Sequence, residues 1–220
     1  MSAMPWPERV VKLESTRGAY AYLVRGAVGD DAGAATGAVL IDTGLPGRAR
    51  RILDEIAALG GETVQHIVVT HGDVDHVGNL AEIAAATGAS VFVPAGDRGY
   101  IMDGRPRPGL KRLVGAIVRT RPPASAEDLR GGDRVGPLVA IDSPGHTPGH
   151  IAYAGPGFVA VGDALTIREG RPVPSRGVMA WDAQMARASA DKLLAGYRGW
   201  VLPAHQEPIF YDGQGRAAGR

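Results

Sequence analysis

Ile67-Val68-Val69-Thr70-His71-Gly72-Asp73-Val74-Asp75-His76 decides how this chain is read. The first three residues are apolar and β-branched, the composition of a buried strand. Four side chains able to ligate a metal, His71, Asp73, Asp75 and His76, crowd the next few positions. They fall in a turn at the mouth of the strand rather than on a helix face. Each would be costly to bury without a partner, so the stretch is a poor piece of core and a good piece of a metal site.

The rest of the chain narrows the chemistry. With 220 residues, one large domain is expected. The formal net charge of +1 gives no electrostatic case for a nucleic-acid partner. There is no cysteine, so thiolate zinc sites, iron–sulfur clusters, disulfides and cysteine nucleophiles are excluded. Any metal must therefore be held by imidazole and carboxylate. The N-terminus lacks the basic start and apolar run of a signal peptide. No uncharged apolar stretch reaches spanning length. A cytoplasmic protein without a membrane partner is expected.

Outward from the opening stretch, strands are expected at Val10 to Leu13, Ala19 to Arg25, Val39 to Ile41 and Val64 to Thr70. Further strands are expected at Ser90 to Val93, Leu138 to Ile141, Ile151 to Tyr153, Phe158 to Val161 and Trp200 to Leu202. The piece from Gly26 to Gly37 has no periodicity and reads as an exposed hairpin loop. Ile52, Ile56 and Leu59 recur at helical spacing, as do Leu80, Ile83 and Ala84, and later Met185, Ala188, Leu193 and Leu194. The order is mixed α/β. Between Pro94 and Gly136 the pattern changes, and this segment reads as a cap or lid. Within it Leu110, Leu113, Val114, Ile117 and Val118 make an apolar stripe, read first as an ordinary amphipathic helix packed on the core. The same stripe is a candidate homodimer contact.

One arrangement recurs along the chain. A short apolar strand ends in a ligand-type residue at a Gly- or Pro-marked turn: Asp42, His71 to His76, His146, Asp163 and His205. A single Asp in such a place is ordinarily a turn former, and a single His is ordinarily packing. Together they are a constellation, because strand ends on one edge of a sheet converge on one cleft. His66 reads as packing or surface.

These residues resemble the metallo-β-lactamase fold superfamily. His71-x-Asp73-x-Asp75-His76 matches its His-x-His-x-Asp-His signature, His146, Asp163 and His205 match its later ligands, and Asp42 in Leu40-Ile41-Asp42-Thr43-Gly44 matches its supporting aspartate. The resemblance implies an αββα sandwich with a dinuclear site on one edge. It implies that His71, Asp73 and His146 bind one ion, that Asp75, His76 and His205 bind the other, and that Asp163 bridges. A hydroxide between two divalent ions roughly 3.5–4 Å apart would attack the substrate, with Asp75 as the catalytic carboxylate that orients it and carries a proton. His150 would support the site without ligating. Thr166 stands where lactonase-type members place a tyrosine, and Trp181 and Tyr100 are pocket-lining or packing residues.

Asp73 departs from the signature, which has histidine there. Two readings stay open: a ligand in a carboxylate-enriched shell, or a non-ligand beside a one-metal site. As a ligand, a further carboxylate makes the site a weaker Lewis acid. It also moves preference from zinc, the first expectation, towards manganese or iron. The function expected is a metal-dependent hydrolase acting on a small ester, lactone or thioester. The alternative is an iron-dependent oxidoreductase, persulfide-dioxygenase-like or flavodiiron-like. Glyoxalase II proper, nucleases and secreted antibiotic hydrolases are disfavoured. The first lacks its C-terminal helices after His205, the second its charge, and the third its signal.

Overall fold

In the computed structural model, which describes residues 5–29, 35–106, 120–175 and 180–213, the apolar runs become the strands of two sheets. The first holds β1 (Val10–Leu13), β2 (Ala21–Gly29), β3 (Ala35–Ile41), β4 (Thr63–Val68), β5 (Ser90–Pro94) and β6 (Glu127–Leu129), side by side in that order. β1 to β3 form an antiparallel meander, and β3 to β6 run parallel. β7 (Arg134–Val135), β8 (Leu138–Asp142), β9 (Ile151–Gly155) and β10 (Phe158–Gly162) begin the second sheet. A separate hairpin follows, β11 (Leu165–Arg168) and β12 (Arg171–Pro174), before β13 (Gly199–Pro203) and β14 (Ile209–Tyr211) complete it. Its order is β14-β13-β10-β9-β8-β7, antiparallel except where β13 lies parallel to β10.

Alternation along the strands explains the layering. Leu23, Leu40 and Ile67 turn outward and pack against Ile52 and Ile56 of α1 (Ala49–Ala58) and Leu80 and Ile83 of α3 (Leu80–Thr87), with α2 (Val74–Val77) between them in sequence. Tyr22, Val39, Ile41 and Val68 turn inward and meet Leu138, Ile151, Tyr153 and Phe158 of the second sheet. Val159, Val161 and Val201 face the far side, under Ala190 and Leu193 of α5 (Ala183–Leu194). A strand period of two therefore feeds three apolar interfaces between four layers, each fully buried Val, Leu, Ile or Phe contributing about 1.5–3 kcal/mol. The expected αββα sandwich is what forms.

Two buried tyrosines cross between the sheets. Tyr153 Oη donates to the carbonyl of Val69 at 2.7 Å, and Tyr22 Oη to that of Pro203 at 2.7 Å. Backbone bonds from Ile151 to Thr70 (2.8 Å) and from Tyr20 to Ala204 (2.7 Å) reinforce the same places. Those carbonyls immediately precede His71 and His205. Each sheet thus fixes the strand end that carries a histidine in the other.

Several expectations change. Val74–Val77 is a single helical turn, so Asp75 and His76 sit on α2 rather than in a turn. Asp73, extended at its N-cap, supplies the carbonyl that accepts from His76 and Val77. The Gly26 to Gly37 loop is shorter than expected, because β2 runs to Gly29 and β3 starts at Ala35. The flanks of the 94–136 segment belong to the sandwich, through α4 (Arg98–Ile101), β6 and β7. The apolar stripe from Leu110 to Val118 lies outside the described residues.

Candidate metal centre

The parallel strands deliver their C-terminal ends to one edge. Asp42 follows β3, His71 follows β4, Asp163 follows β10, His205 follows β13, and His146 sits in the loop between β8 and β9. Asp42 has φ 60, a left-handed conformation that a short polar side chain tolerates better than most. Gly145 has φ 133, and a Cβ there would run into the backbone of Ala186, so the His146 loop lies directly on α5.

The expected residues come together as two adjoining groups. Ligand atoms of His71, His146 and Asp163 lie within 4.8 Å of one another, as do those of Asp75, His76 and His205. Asp163 faces both: its Oδ2 is 3.1 Å from His146 Nε2, and its Oδ1 is 3.2 Å from His205 Nε2 and 3.7 Å from His76 Nε2. Asp73 stands against the first group, with Oδ2 3.1 Å from His146 Nε2 and 3.3 Å from His71 Nε2. Asp75 Oδ2 is 3.5 Å from His205 Nε2. His71 and His76 are fully enclosed, whereas the His205 side chain is 40% exposed. The second group is the open one.

Buried partners fix which nitrogen of each imidazole is presented. Asp42 Oδ1 accepts from the Thr70 amide at 2.8 Å, and its Oδ2 accepts from the Thr70 hydroxyl at 2.8 Å. Having given its proton to Asp42, the Thr70 oxygen is left to accept from His71 Nδ1 at 3.0 Å. His76 Nδ1 donates directly to Asp42 Oδ2 at 2.8 Å. Both rings therefore carry hydrogen on Nδ1 and turn Nε2 towards the cluster, the arrangement that orients metal-binding histidines. His71 Nε2 and His76 Nε2 are buried and make no hydrogen bond.

The charges follow from burial and neighbours. Enclosure and the adjacent His76 hold His71 well below the usual imidazole range. Burial would lower His76 too, but the charges of Asp42, Asp75 and Asp163 outweigh it and raise the group to about 10. For Asp163, burial is outweighed by the His205 hydrogen bond and by His76 and His146, and the carboxyl stays well below its ordinary value. The Asp163 hydrogen bond raises His205.

Two supports went unread or half-read in the sequence. Asp97, fully buried, accepts from the Gly72 amide at 2.9 Å through Oδ2 and from the Gly149 amide at 2.8 Å through Oδ1. One carboxylate thus ties the His71 loop to the His146 loop. Only its place before a short helix could have suggested a role, and that reads as a cap. His150 behaves as expected of a supporting residue. Its Nε2 accepts from the Asp163 amide at 3.1 Å, and its Nδ1 meets Ser143 Oγ at 2.8 Å.

A cleft of about 220 Å³ opens at the cluster, lined by His146, Asp163 and His205 together with Leu165, Thr166 and Arg168. Thr166 Oγ1 donates to Gln206 Oε1 at 2.9 Å, so its proton is already committed. Trp181 is 46% exposed, with its backbone amide on the His146 carbonyl, and Tyr100 packs beside Gly72. His66 stacks edge-on against Phe92 and is packing.

The donor set fits divalent cations. It is made of imidazole nitrogens and carboxylate oxygens, two of the nitrogens are buried and make no hydrogen bond, and the donors stand 3.1–3.7 Å apart. A tetrahedral shell with bonds of about 2.1 Å sets neighbouring donors roughly 3.4 Å apart.

Comparison with known proteins agrees. The metallo-beta-lactamase superfamily profile matches residues 16–205. An uncharacterised Bacillus subtilis protein, YobT, is 31% identical over 172 residues, covering 70% of this chain and 72% of that one. A hydroxyacylglutathione hydrolase of Methylobacillus flagellatus is 35% identical over 120 residues, 54% of this chain and 41% of that protein. The chain thus spans less than half the length of that hydrolase. The crystal structure of TTHA1623 in a di-iron-bound form superposes with a TM-score of 0.68 at 26% identity, covering 91% of this chain and 93% of that one. The chain therefore belongs to the metallo-beta-lactamase superfamily.

Proposed function

We propose that the chain hydrolyses a small acyl compound, a thioester before an ester or lactone, with two divalent ions held at the strand-end cluster. His71, Asp73 and His146 would hold one ion, Asp75, His76 and His205 the other, and Asp163 both. The observation that carries this reading is Asp163, whose two oxygens face different groups of donors. Its support for thioesters is the likeness to hydroxyacylglutathione hydrolases. When bound, such a pair of ions supplies Lewis acidity, ionising water near neutral pH and polarising the substrate oxygen.

The chain's own residues supply the rest. Asp42 and Thr70 hold the His76 and His71 rings with hydrogen on Nδ1 and Nε2 towards the cluster, so each ring is already turned to engage a cation. The Asp75 side chain, 26% exposed, lies at the open group within 3.5 Å of His205. It is positioned to orient water and to take its proton. The cleft admits the acyl compound from the Thr166 and Arg168 side. The partner proposed is this small molecule; nucleic acid and membrane are not proposed.

Zinc is the first expectation, with manganese or iron favoured by Asp73 and iron also by the di-iron-bound neighbour. Metal analysis of protein purified without added metal, with a panel of thioesters and lactones, tests the proposal. Two equivalents of metal and thioester turnover are expected. A metal-free stable protein, or one iron with oxygen uptake, would overturn it. The iron-dependent oxidoreductase reading has no observation of its own behind it.

A further inference from the structure

We infer that the cleft beside the metal centre recognises an oxyanion on the substrate, carboxylate or phosphate, through Arg168 with Arg171 opposite it. The inference rests on the hydrolase reading for its site and adds the substrate's chemical class.

Arg168 and Arg171 are directly paired across β11 and β12. Between them stand only Glu169, at φ 50, and Gly170, at φ 71, the two left-handed residues of a tight hairpin turn. Such a turn fixes the register, and Glu is not the residue that most easily adopts it. Directly opposed residues of an antiparallel pair project from the same face, with Cβ atoms about 4.5–5.5 Å apart, and like charges there are destabilising. Among the described residues neither guanidinium has an ion-pair partner to relieve this. The ribbon therefore presents two arginines side by side at the cost of its own stability.

The hairpin is also held in place relative to the metal centre. Gln206, next to His205, accepts from the Ile167 amide at 3.2 Å and from Thr166 Oγ1 at 2.9 Å, both through Oε1. The Ile167 N–H can only donate, so the side-chain carbonyl must face it. The Gln206 amino group remains a donor on the cleft wall. Arg168 lines the same cleft as His146, Asp163 and His205, and Ser175 adds a hydroxyl. Away from the metal centre the lining is thus rich in donors, with Arg168 the cation. A planar guanidinium fork matches a carboxylate or phosphate in two bonds at once. An acyl compound whose reacting carbonyl lies at the cluster and whose far end carries an oxyanion uses the length of the cleft.

Binding calorimetry on the zinc-loaded protein tests this without requiring turnover. Three thiols serve as probes: 3-mercaptopropionate, 2-mercaptoethyl phosphate and neutral 1-propanethiol. At least one charged thiol is expected to bind about tenfold tighter than the neutral one at low salt, and the better of the two names the oxyanion. Arg168→Ala should bring the affinities together, Arg168→Lys should restore part of the gap, and Arg50→Ala on the exposed face of α1 should leave it intact. Equal binding of all three thiols, or a gap that survives Arg168→Ala, would overturn the inference. The thioester panel, read separately, reports on the hydrolase proposal itself.

Discussion

Asp42 Oδ2 lies 2.8 Å from His76 Nδ1, and the same oxygen takes the Thr70 hydroxyl proton. One carboxylate thereby governs both histidines of the opening stretch. Asp42→Asn offers a single acceptor oxygen where two are used, and its amino group opposes the donors it must meet. Metal affinity should fall about 10–100-fold, as for other partners that orient ligating imidazoles. Competition against a chromophoric chelator measures it, and an unchanged affinity would remove Asp42 from this role.

The protonation of the cluster predicts how metal uptake depends on pH. With His76 held at about 10 and His205 raised, the metal-free protein near neutrality carries protons that a cation must displace. Affinity should therefore weaken as pH falls, with proton release in calorimetry run in buffers of different ionisation enthalpy. Stability has the complementary sign. His76 is raised above its unfolded value of 6.5, so its contribution to the metal-free fold is complete below pH 6.5 and is lost as pH rises through about 10. Asp163 is depressed below 3.8, so its contribution holds above that value and is lost as pH falls through its lower folded pKa. The gain in Tm on adding zinc should accordingly widen from pH 6.5 towards pH 10; a gap that narrows would contradict these shifts.

Asp73 is where sequence and family pattern part, and the structure sets its Oδ2 3.1 Å from His146 and 3.3 Å from His71. Replacing an oxygen donor there by an imidazole should move selectivity towards zinc. Asp73→His should raise the zinc-to-manganese affinity ratio by about tenfold or more, the scale on which single changes around a metal act. An unchanged ratio would mean that Asp73 stands beside the ions without holding one.

The cluster of strand-end donors was legible because its signal is local: an apolar run, a turn residue and a polar side chain recur together. Pattern alone reached a mixed α/β order, and the four layers came from the family resemblance; the structure shows that alternation in Tyr22, Leu23 and Val24 or in Val39, Leu40 and Ile41 sorts residues between two cores. What escaped was short or long-range. Glu127–Leu129 and Arg134–Val135 are too brief and too polar to show a period, and exist because a neighbouring strand offers them hydrogen bonds. α2 was hidden because two of its four residues, Asp75 and His76, look like ligands before they look like a helical turn. Asp97 could not be found at all from spacing, because its partners Gly72 and Gly149 contribute backbone amides rather than recognisable side chains.

The buried tyrosines make a prediction that is read first in stability. Tyr153 Oη bonds the Val69 carbonyl across the sheets, and Tyr153→Phe leaves that carbonyl without its donor. A loss of about 1 kcal/mol is expected, lowering Tm by roughly 2–4 °C for a chain of this size. Because Val69 lies two residues before His71, zinc affinity should fall with it; a Tm loss alone would confine the bond to holding the sheets together.

Asp97 carries the sharpest separation between stability and site geometry. Its two oxygens hold the loops of His71 and His146, the donors of one group, and no side chain of the cluster itself is altered by changing it. Asp97→Asn keeps one acceptor and turns an amino group towards the other amide, leaving a buried N–H unsatisfied at about 2 kcal/mol, or roughly 4–8 °C in Tm. If the carboxylate only stabilises the fold, zinc binding measured well below the new Tm should be unchanged. If it sets the spacing of the two loops, affinity at the His71 group should drop while the His205 group holds. The absorption bands of the cobalt-substituted protein should then change in intensity, because coordination geometry governs them. The second outcome is the one expected, since a single rigid group spans the two loops whose histidines would hold one ion under the proposed function.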